Sequence, residues 1–195
     1  MKKEELIKTL EKGGVGIMPT DTLYGLLGSA LNPSVVERIY SLKGRDRKKP
    51  FIILISSFDD LEKFSIRINA KEREMLERFW PGKVTIIFSS GDKQYTYLDR
   101  GGGTLAFRMP ALRSLLDIIA RTGPLVAPSA NVSGGEPAQT IEEAMAYFGN
   151  DPDFYIDGGR ITSLPSTIVK MNKGGFMLVR PGVEEIPEEL LTEGF

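Results

Sequence analysis

Two cations around a glycine, Lys43-Gly44-Arg45, are the first residues of this sequence that could do chemistry. One loop can present both charges, with Gly44 letting an anion approach the backbone. On charge alone, the run from Lys43 to Lys49, five cations against Asp46, reads as a solvated loop behind a helix cap. Arg108 is of another kind. It lies in the apolar stretch Ala106-Phe107-Arg108-Met109-Pro110, where a charge is costly unless paired, so its partner is a ligand carboxylate or a buried acid. Pro128-Ser129-Ala130-Asn131 puts a hydroxyl and an amide into a tight turn after an apolar strand, which suits polar ligand atoms; alone, the tetrapeptide is an ordinary turn. Thr20-Asp21-Thr22 and Thr104 to Arg108 are also polar segments at the ends of apolar strands, where α/β sheets place ligands. Ser166-Thr167 and Arg180-Pro181-Gly182 equally fit plain strand residues and a strand exit.

The chain has no Cys and no His, which removes disulfides, thiolate zinc sites, cysteine nucleophiles and any Ser-His-Asp triad. No two carboxylates have acid/base spacing, and neither Asp21 nor Asp157 has metal-site spacing around it, so no protein metal ligand is expected. Lys, Arg, Ser, Thr, Asn and backbone N–H groups remain, a set suited to holding anions and polar substrates. The net charge of −1 carries no nucleic-acid footprint.

These residues need a scaffold. With 195 residues, 41% of them hydrophobic and 26% charged, the chain reads as one soluble globular domain, 1–195, ending in an acidic tail at 183–195. Its longest apolar run, Phe51 to Ser56 with its flanks, falls far short of the roughly 20 residues of a spanning helix. Apolar spacing predicts helices through Leu6 to Leu10, Asn32 to Leu42, Phe58 to Phe64, Ala70 to Phe79, Pro110 to Arg121 and Ile141 to Phe148. Thr140 caps the last, with Glu143 completing a capping box. Strands are expected at Val15 to Met18, Phe51 to Ile55, Val84 to Phe88, Leu105 to Met109, Pro124 to Ala127, Phe154 to Asp157, Thr167 to Met171 and Phe176 to Arg180. Pro19 to Leu26 reads as irregular, and Ser89 to Gly103 as a loop or weak hairpin. The class is α/β or α+β, a mixed sheet of about seven strands. Gly101-Gly102-Gly103 precedes a strand instead of joining a strand to a helix, so this is no dinucleotide-binding unit, and no P-loop is present.

Seven segments, in this order, resemble the YrdC/TsaC family of threonylcarbamoyl-adenylate synthases: Pro19 to Leu26, Lys43-Gly44-Arg45, Trp80-Pro81-Gly82, Phe107 to Pro110, Pro128 to Gly134, Ser166 to Val169 and Arg180-Pro181-Gly182. The likeness runs from about Leu6 to Gly182. It implies the YrdC-like fold, a twisted mixed sheet with helices around a large concave cavity. It also implies a cytoplasmic nucleotidyltransferase that joins L-threonine, bicarbonate and ATP into threonylcarbamoyl-AMP and pyrophosphate, for threonylcarbamoyladenosine modification of tRNA by separate transfer proteins. Magnesium is expected on the triphosphate. Carried over by position, Lys43, Arg45, Thr104, Asn131, Thr140 and Arg180 meet ATP, with Lys43 and Arg45 serving catalysis. Thr22, Arg108, Ser129 and Ser166 hold threonine or its carbamate.

Three features depart from the family pattern. Many relatives carry a His after the Lys-Gly-Arg loop, near Leu54 to Ser56, where this chain has none. The loop from Asn131 to Thr140 is one residue longer through Gly134-Gly135, and the chain reads as the single-domain form. The competing expectations are an RNA-binding module of the same fold, weak in affinity, or a paralogue acting on another substrate.

Overall fold

Side chains two apart along a strand share a face, and this alternation sorts the apolar residues into two cores. The computed structural model describes residues 1–172 and 174–192. In chain order it contains α1 (Lys3–Glu11), β1 (Gly16–Pro19), β2 (Tyr24–Ser29), α2 (Pro33–Lys43), β3 (Ile52–Leu54), α3 (Asp59–Glu62), α4 (Ala70–Glu77), β4 (Val84–Ser89), α5 (Thr96–Asp99), β5 (Thr104–Arg108), α6 (Arg113–Thr122), β6 (Leu125–Val126), α7 (Ile141–Phe148), β7 (Phe154–Tyr155), β8 (Thr167–Asn172) and β9 (Gly175–Arg180). The strands form one sheet in the order β7-β1-β2-β6-β3-β5-β4-β8-β9. Pairs β1–β7, β3–β5 and β4–β8 are parallel and the rest antiparallel, so the sheet is mixed.

On one face Met18, Leu27, Leu54, Leu125 and Phe154 pack against Leu6, Ile7 and Leu10 of α1 and Leu115, Ile118 and Ile119 of α6. Their sequence neighbours Ile17, Leu26, Ile53 and Val126 point the other way, into the larger core with Val36, Ile39, Phe64, Leu76 and Trp80. The first core draws on β7, β1, β2, β6 and β3 only. Helices α1 and α6 therefore leave the β5, β4 and β8 end of their face uncovered, and this bare half becomes the floor of the site.

Nine strands stand where about seven are expected. Strand β2 begins within the segment read as irregular and runs on to Ser29; Gly25 and Gly28 depress its strand propensity while pairing with β1 and β6 compensates. Between Ser89 and Gly103 there is no hairpin. A 3-10 turn at Lys93–Tyr95 runs into α5, held by the Asp92 carboxylate on Gln94 N at 3.0 Å and by Tyr95 packing on Phe64. Helix α6 begins at Arg113 rather than Pro110: its N-cap, Leu112, is extended at φ -81 and ψ 105, and Ala111 N before it donates to the Asp21 carboxylate at 2.9 Å. Thr140 does cap α7, but the Glu143 carboxylate takes the Gln139 N–H at 2.8 Å, so the capping box is incomplete.

Helix α2 matters most for the site. Asn32 Oδ1 accepts from Ser34 N at 3.0 Å to start it, and Gly44 ends it in the left-handed region at φ 58. Of the acidic tail, residues 193–195 lie outside those described. The rest turns along β9, with Thr192 N on Phe176 O at 2.8 Å and Glu189 paired to Arg78 at 3.0 Å.

Candidate active site

A cavity of about 360 Å³ opens over the bare half of the sheet. Ile52, Ala106, Ile87 and Ile168, from four neighbouring strands, make its apolar floor. Alternation along β5 puts Thr104, Ala106 and Arg108 on the cavity face and Leu105 and Phe107 in the core beneath. The walls come from chain ends that the sheet gathers. The turn Pro128 to Ala130 pairs with the start of β2, through Leu26 N on Pro128 O at 2.9 Å and Ala130 N on Tyr24 O at 2.8 Å. That pairing sets Ser129 beside the Thr20–Thr22 turn, where Thr20 Oγ1 accepts from Thr22 N and Leu23 N, each at 3.2 Å. Across the floor, Ser166 Oγ and Thr85 Oγ1 share a hydrogen bond of 2.9 Å.

The lining carries three arginines, Arg45, Arg108 and Arg180, and no carboxylate. Arg108 is buried and ion-paired through Nη1 to Asp21, whose side chain is 7% exposed, while its Nε has no partner. Burial draws its pKa below the usual guanidinium value and Asp21 opposes that. Arg180, an exposed residue whose pKa is drawn down by partial desolvation, donates Nη2 to Ser166 O at 2.6 Å and so ties β9 to the Ser166 turn. Gly182 follows on this turn, where a Cβ would stand 2.5 Å from Pro165 O, Ser166 C and Thr167 N.

Lys43 stands behind the wall. Its Nζ donates to Ser129 O and Asn131 O, both at 2.6 Å, and the residue is only 2% exposed. Burial, with repulsion from Arg45 added, brings its pKa down to about 7. Within one loop, then, Arg45 faces the cavity and Lys43 braces the turn that forms its wall.

Of the ten candidate residues, Thr22, Arg45, Arg108, Ser129, Ser166 and Arg180 line this cavity. Lys43, Thr104, Asn131 and Thr140 do not. Asn131 folds its amide onto Val132 O and Gly135 O, each at 2.8 Å, and receives Ser129 Oγ at 2.6 Å. Thr140 gives its hydroxyl to the α7 cap. Residues 54–56, near which the resemblance leads to the expectation of a His, add nothing to the lining; Ser56 Oγ turns to Asp60 at 2.9 Å.

Sequence reasoning missed Asp21 as the partner of Arg108 and Tyr24 and Phe51 as walls. The signal for Asp21 was its place between two threonines after a strand-ending proline. A wider hollow of about 510 Å³ lies between α3 and α6; Asp60 there pairs with Lys63 at 2.7 Å and Asp117 with Lys3 at 3.0 Å, and Asp59 and Arg113 add charge of both signs.

A family model named for Sua5, YciO and YrdC, and described as telomere recombination, matches residues 8–182. The chain belongs to this family. A threonylcarbamoyl-AMP synthase of Pyrococcus abyssi is 34% identical over 189 residues, covering 94% of this chain and 55% of that protein. A putative threonylcarbamoyl-AMP synthase of Mycobacterium tuberculosis is 30% identical over 188 residues, covering 94% of this chain and 87% of that protein. Among solved structures, P. abyssi Sua5 complexed with L-threonine superposes with a TM-score of 0.84 at 32% identity, over 92% of this chain and 54% of that one. The chain thus spans about half the length of the Pyrococcus relative. As a Sua5/YciO/YrdC protein it has the expected fold, a twisted mixed sheet with flanking helices around a concavity. Among the described residues no helix is long and apolar enough to cross a membrane.

Proposed function

We propose that this chain is a threonylcarbamoyl-AMP synthase, a nucleotidyltransferase acting on L-threonine, bicarbonate and ATP. The observation that carries the reading is the cavity lining: three arginines, no acid and a ring of hydroxyls. Anionic, hydroxyl-bearing ligands suit such a surface. The names of the relatives and the threonine-bound relative support the same substrates.

In this reading threonine enters carboxylate first. Arg108 is the buried cation with an unpartnered Nε, and Asp21 holds it in place without closing that edge. The Thr22, Ser129 and Ser166 hydroxyls surround the remaining polar atoms of threonine or its carbamate. Bicarbonate condenses with the amine to give the carbamate and water. A carbamate oxygen then attacks the α-phosphorus of ATP, the bond to the bridging oxygen breaks and pyrophosphate leaves. Arg45 and Arg180 face the charge that develops there, so catalysis is positioning and electrostatics, without a side-chain nucleophile. Lys43 would have to release the Ser129 and Asn131 carbonyls to touch a phosphate; where it stands, it shapes the wall. Thr104, Asn131 and Thr140 are assigned to the outer nucleotide side.

Among the described residues no three potential ligands gather into a metal site, and the cavity lining holds no carboxylate. A divalent cation fits this chain only as a passenger on the triphosphate, whose charge it would partly neutralise. The product would pass to separate transfer proteins acting on tRNA in the cytoplasm.

The test is pyrophosphate release by purified protein with ATP, L-threonine, bicarbonate and magnesium. Release that needs both threonine and bicarbonate, and is lost in Arg108→Ala along with threonine binding by calorimetry, is the expected result. No release above the Arg108→Ala background sinks the proposal. Exposed Lys48 and Lys49, next to the cavity-lining Pro50, favour a second reading, weak RNA binding. Affinity for tRNA that falls steeply with salt supports it, and no binding at low salt ends it.

A further inference from the structure

Arg45 is the cation that the loop after α2 aims into the cavity, and a loop residue aims only as well as its support. That support is a column of four side chains. The Arg45 guanidinium lies 5.6 Å from the centre of the Phe51 ring. Phe51 stacks on Tyr40 with centroids 4.0 Å apart and planes 23° off parallel, and the Arg100 guanidinium caps Tyr40 at 4.0 Å. Two stacked aromatic rings thus link two arginines, Arg45 facing the cavity and Arg100 at the end of α5.

Arg100 is built for this place. It ends α5 at φ 57, the left-handed region that favours glycine, although three glycines follow it immediately. Its side chain is 12% exposed, Nη1 pairs with Glu37 Oε1 at 2.7 Å, and Nε and Nη2 are buried without a hydrogen bond. The face of Tyr40 is the electron-rich surface offered to them. The same α2 face controls the far end of the loop. Glu37 also pairs with Arg47, and Tyr40 Oη donates to Lys49 O at 2.9 Å, the carbonyl that takes Arg45 Nε at 3.2 Å. Nothing in Arg100 lines the cavity.

We infer that Arg100 is a positioning residue for Arg45, holding the nucleotide-facing guanidinium in place through the Tyr40–Phe51 stack and the shared Glu37 carboxylate. The consequence for nucleotide rests on the proposed function; the mechanical link does not. Two measurements on the full chain separate them. The first is the ¹⁵N heteronuclear NOE of the Arg45 Nε–H group, assigned by its loss in Arg45→Ala. It is expected to be high in the wild type and to collapse in Arg100→Met. Arg100→Lys, which keeps the charge opposite Glu37, serves if Arg100→Met does not fold. The second is calorimetry with magnesium ATP and with L-threonine. The ATP dissociation constant is expected to rise about tenfold in Arg100→Met, while threonine affinity stays within about twofold. In an Arg45→Ala background the same change should add less than about twofold. An unchanged Arg45 NOE in a folded variant overturns the inference, as does an ATP loss that persists without Arg45 or an equal loss for threonine. Wild-type protein that binds no ATP defeats the synthase reading alone, and the NOE still decides the column.

Discussion

Replacing Asp21 by Asn should destabilise this protein far more than a surface change would. The Arg108 and Asp21 side chains are 5% and 7% exposed, and Asp21 is the only acid paired with Arg108 among the described residues. Asn keeps the size, and one of its atoms can still accept from Ala111 N, now at 2.9 Å from Asp21 Oδ2, but the charge is gone. What remains is a buried guanidinium with no counter-ion, and breaking such a pair from one side costs about 3–5 kcal/mol. For a chain of 195 residues each kcal/mol lowers the melting temperature by roughly 2–4 °C, so a fall of about 12 °C is expected. Removing both charges removes the orphan, so Asp21→Asn with Arg108→Met should recover at least half of the loss. The assay is urea unfolding at pH 7 with a thermal melt beside it, on wild type, both singles and the double. A single Asp21→Asn variant melting within about 2 °C of wild type, or a double variant no better than it, would refute the claim that Asp21 neutralises Arg108.

Three further outcomes follow from particular contacts. Gly182→Ala places a methyl group 2.5 Å from Pro165 O and the Ser166–Thr167 peptide, so the turn must shift; stability should drop by about 1–3 kcal/mol and pyrophosphate release should fall with it, and wild-type values for both would contradict the geometry. Lys43 has a folded-state pKa brought down from 10.5 to about 7, so its cost is full below pH 7 and is relieved as pH rises from about 7 towards 10.5, where the unfolded chain holds the proton longer. Stability relative to Lys43→Met, read by urea unfolding, should therefore rise by up to ~1.4 kcal/mol per pH unit in that window, and a pH-independent difference would exclude a titrating Lys43. Thr85→Val removes the hydroxyl that meets Ser166 Oγ at 2.9 Å and should cost about 1 kcal/mol in unfolding together with a weaker threonine affinity; unchanged calorimetry would free Ser166 of that dependence.

How the site assembles explains which residues could be recognised beforehand. Arg108 was legible because a charge inside an apolar strand demands a partner whatever the fold. That the partner is Asp21, 87 residues earlier, was not legible, since only the route from β1 through the Thr20–Thr22 turn brings the two together. Lys43 shows the opposite case. The charged residues that follow it, Asp46 to Lys49, are exposed, so the run reads as solvated, yet its place on the inner face of α2 buries it on carbonyls 86 and 88 residues away. Strand β2 was hidden by its glycines, and the 3-10 turn after β4 by the lack of any apolar period.

Sequence alone determined what depends on a few neighbouring residues. The α2 cap at Asn32, its end at Gly44, the alternation along β5, the residue types able to hold anions and the absence of Cys and His all belong there. Tertiary structure decided what depends on distant pairing. Strand order placed the Ser129 turn against β2, α1 and α6 covered only part of one sheet face, and the bare remainder became a cavity with three arginines at its wall. The physical reason is range: caps and periodicity are set within one or two turns of backbone, whereas a buried charge or an empty pocket exists only once segments remote in sequence exclude water together.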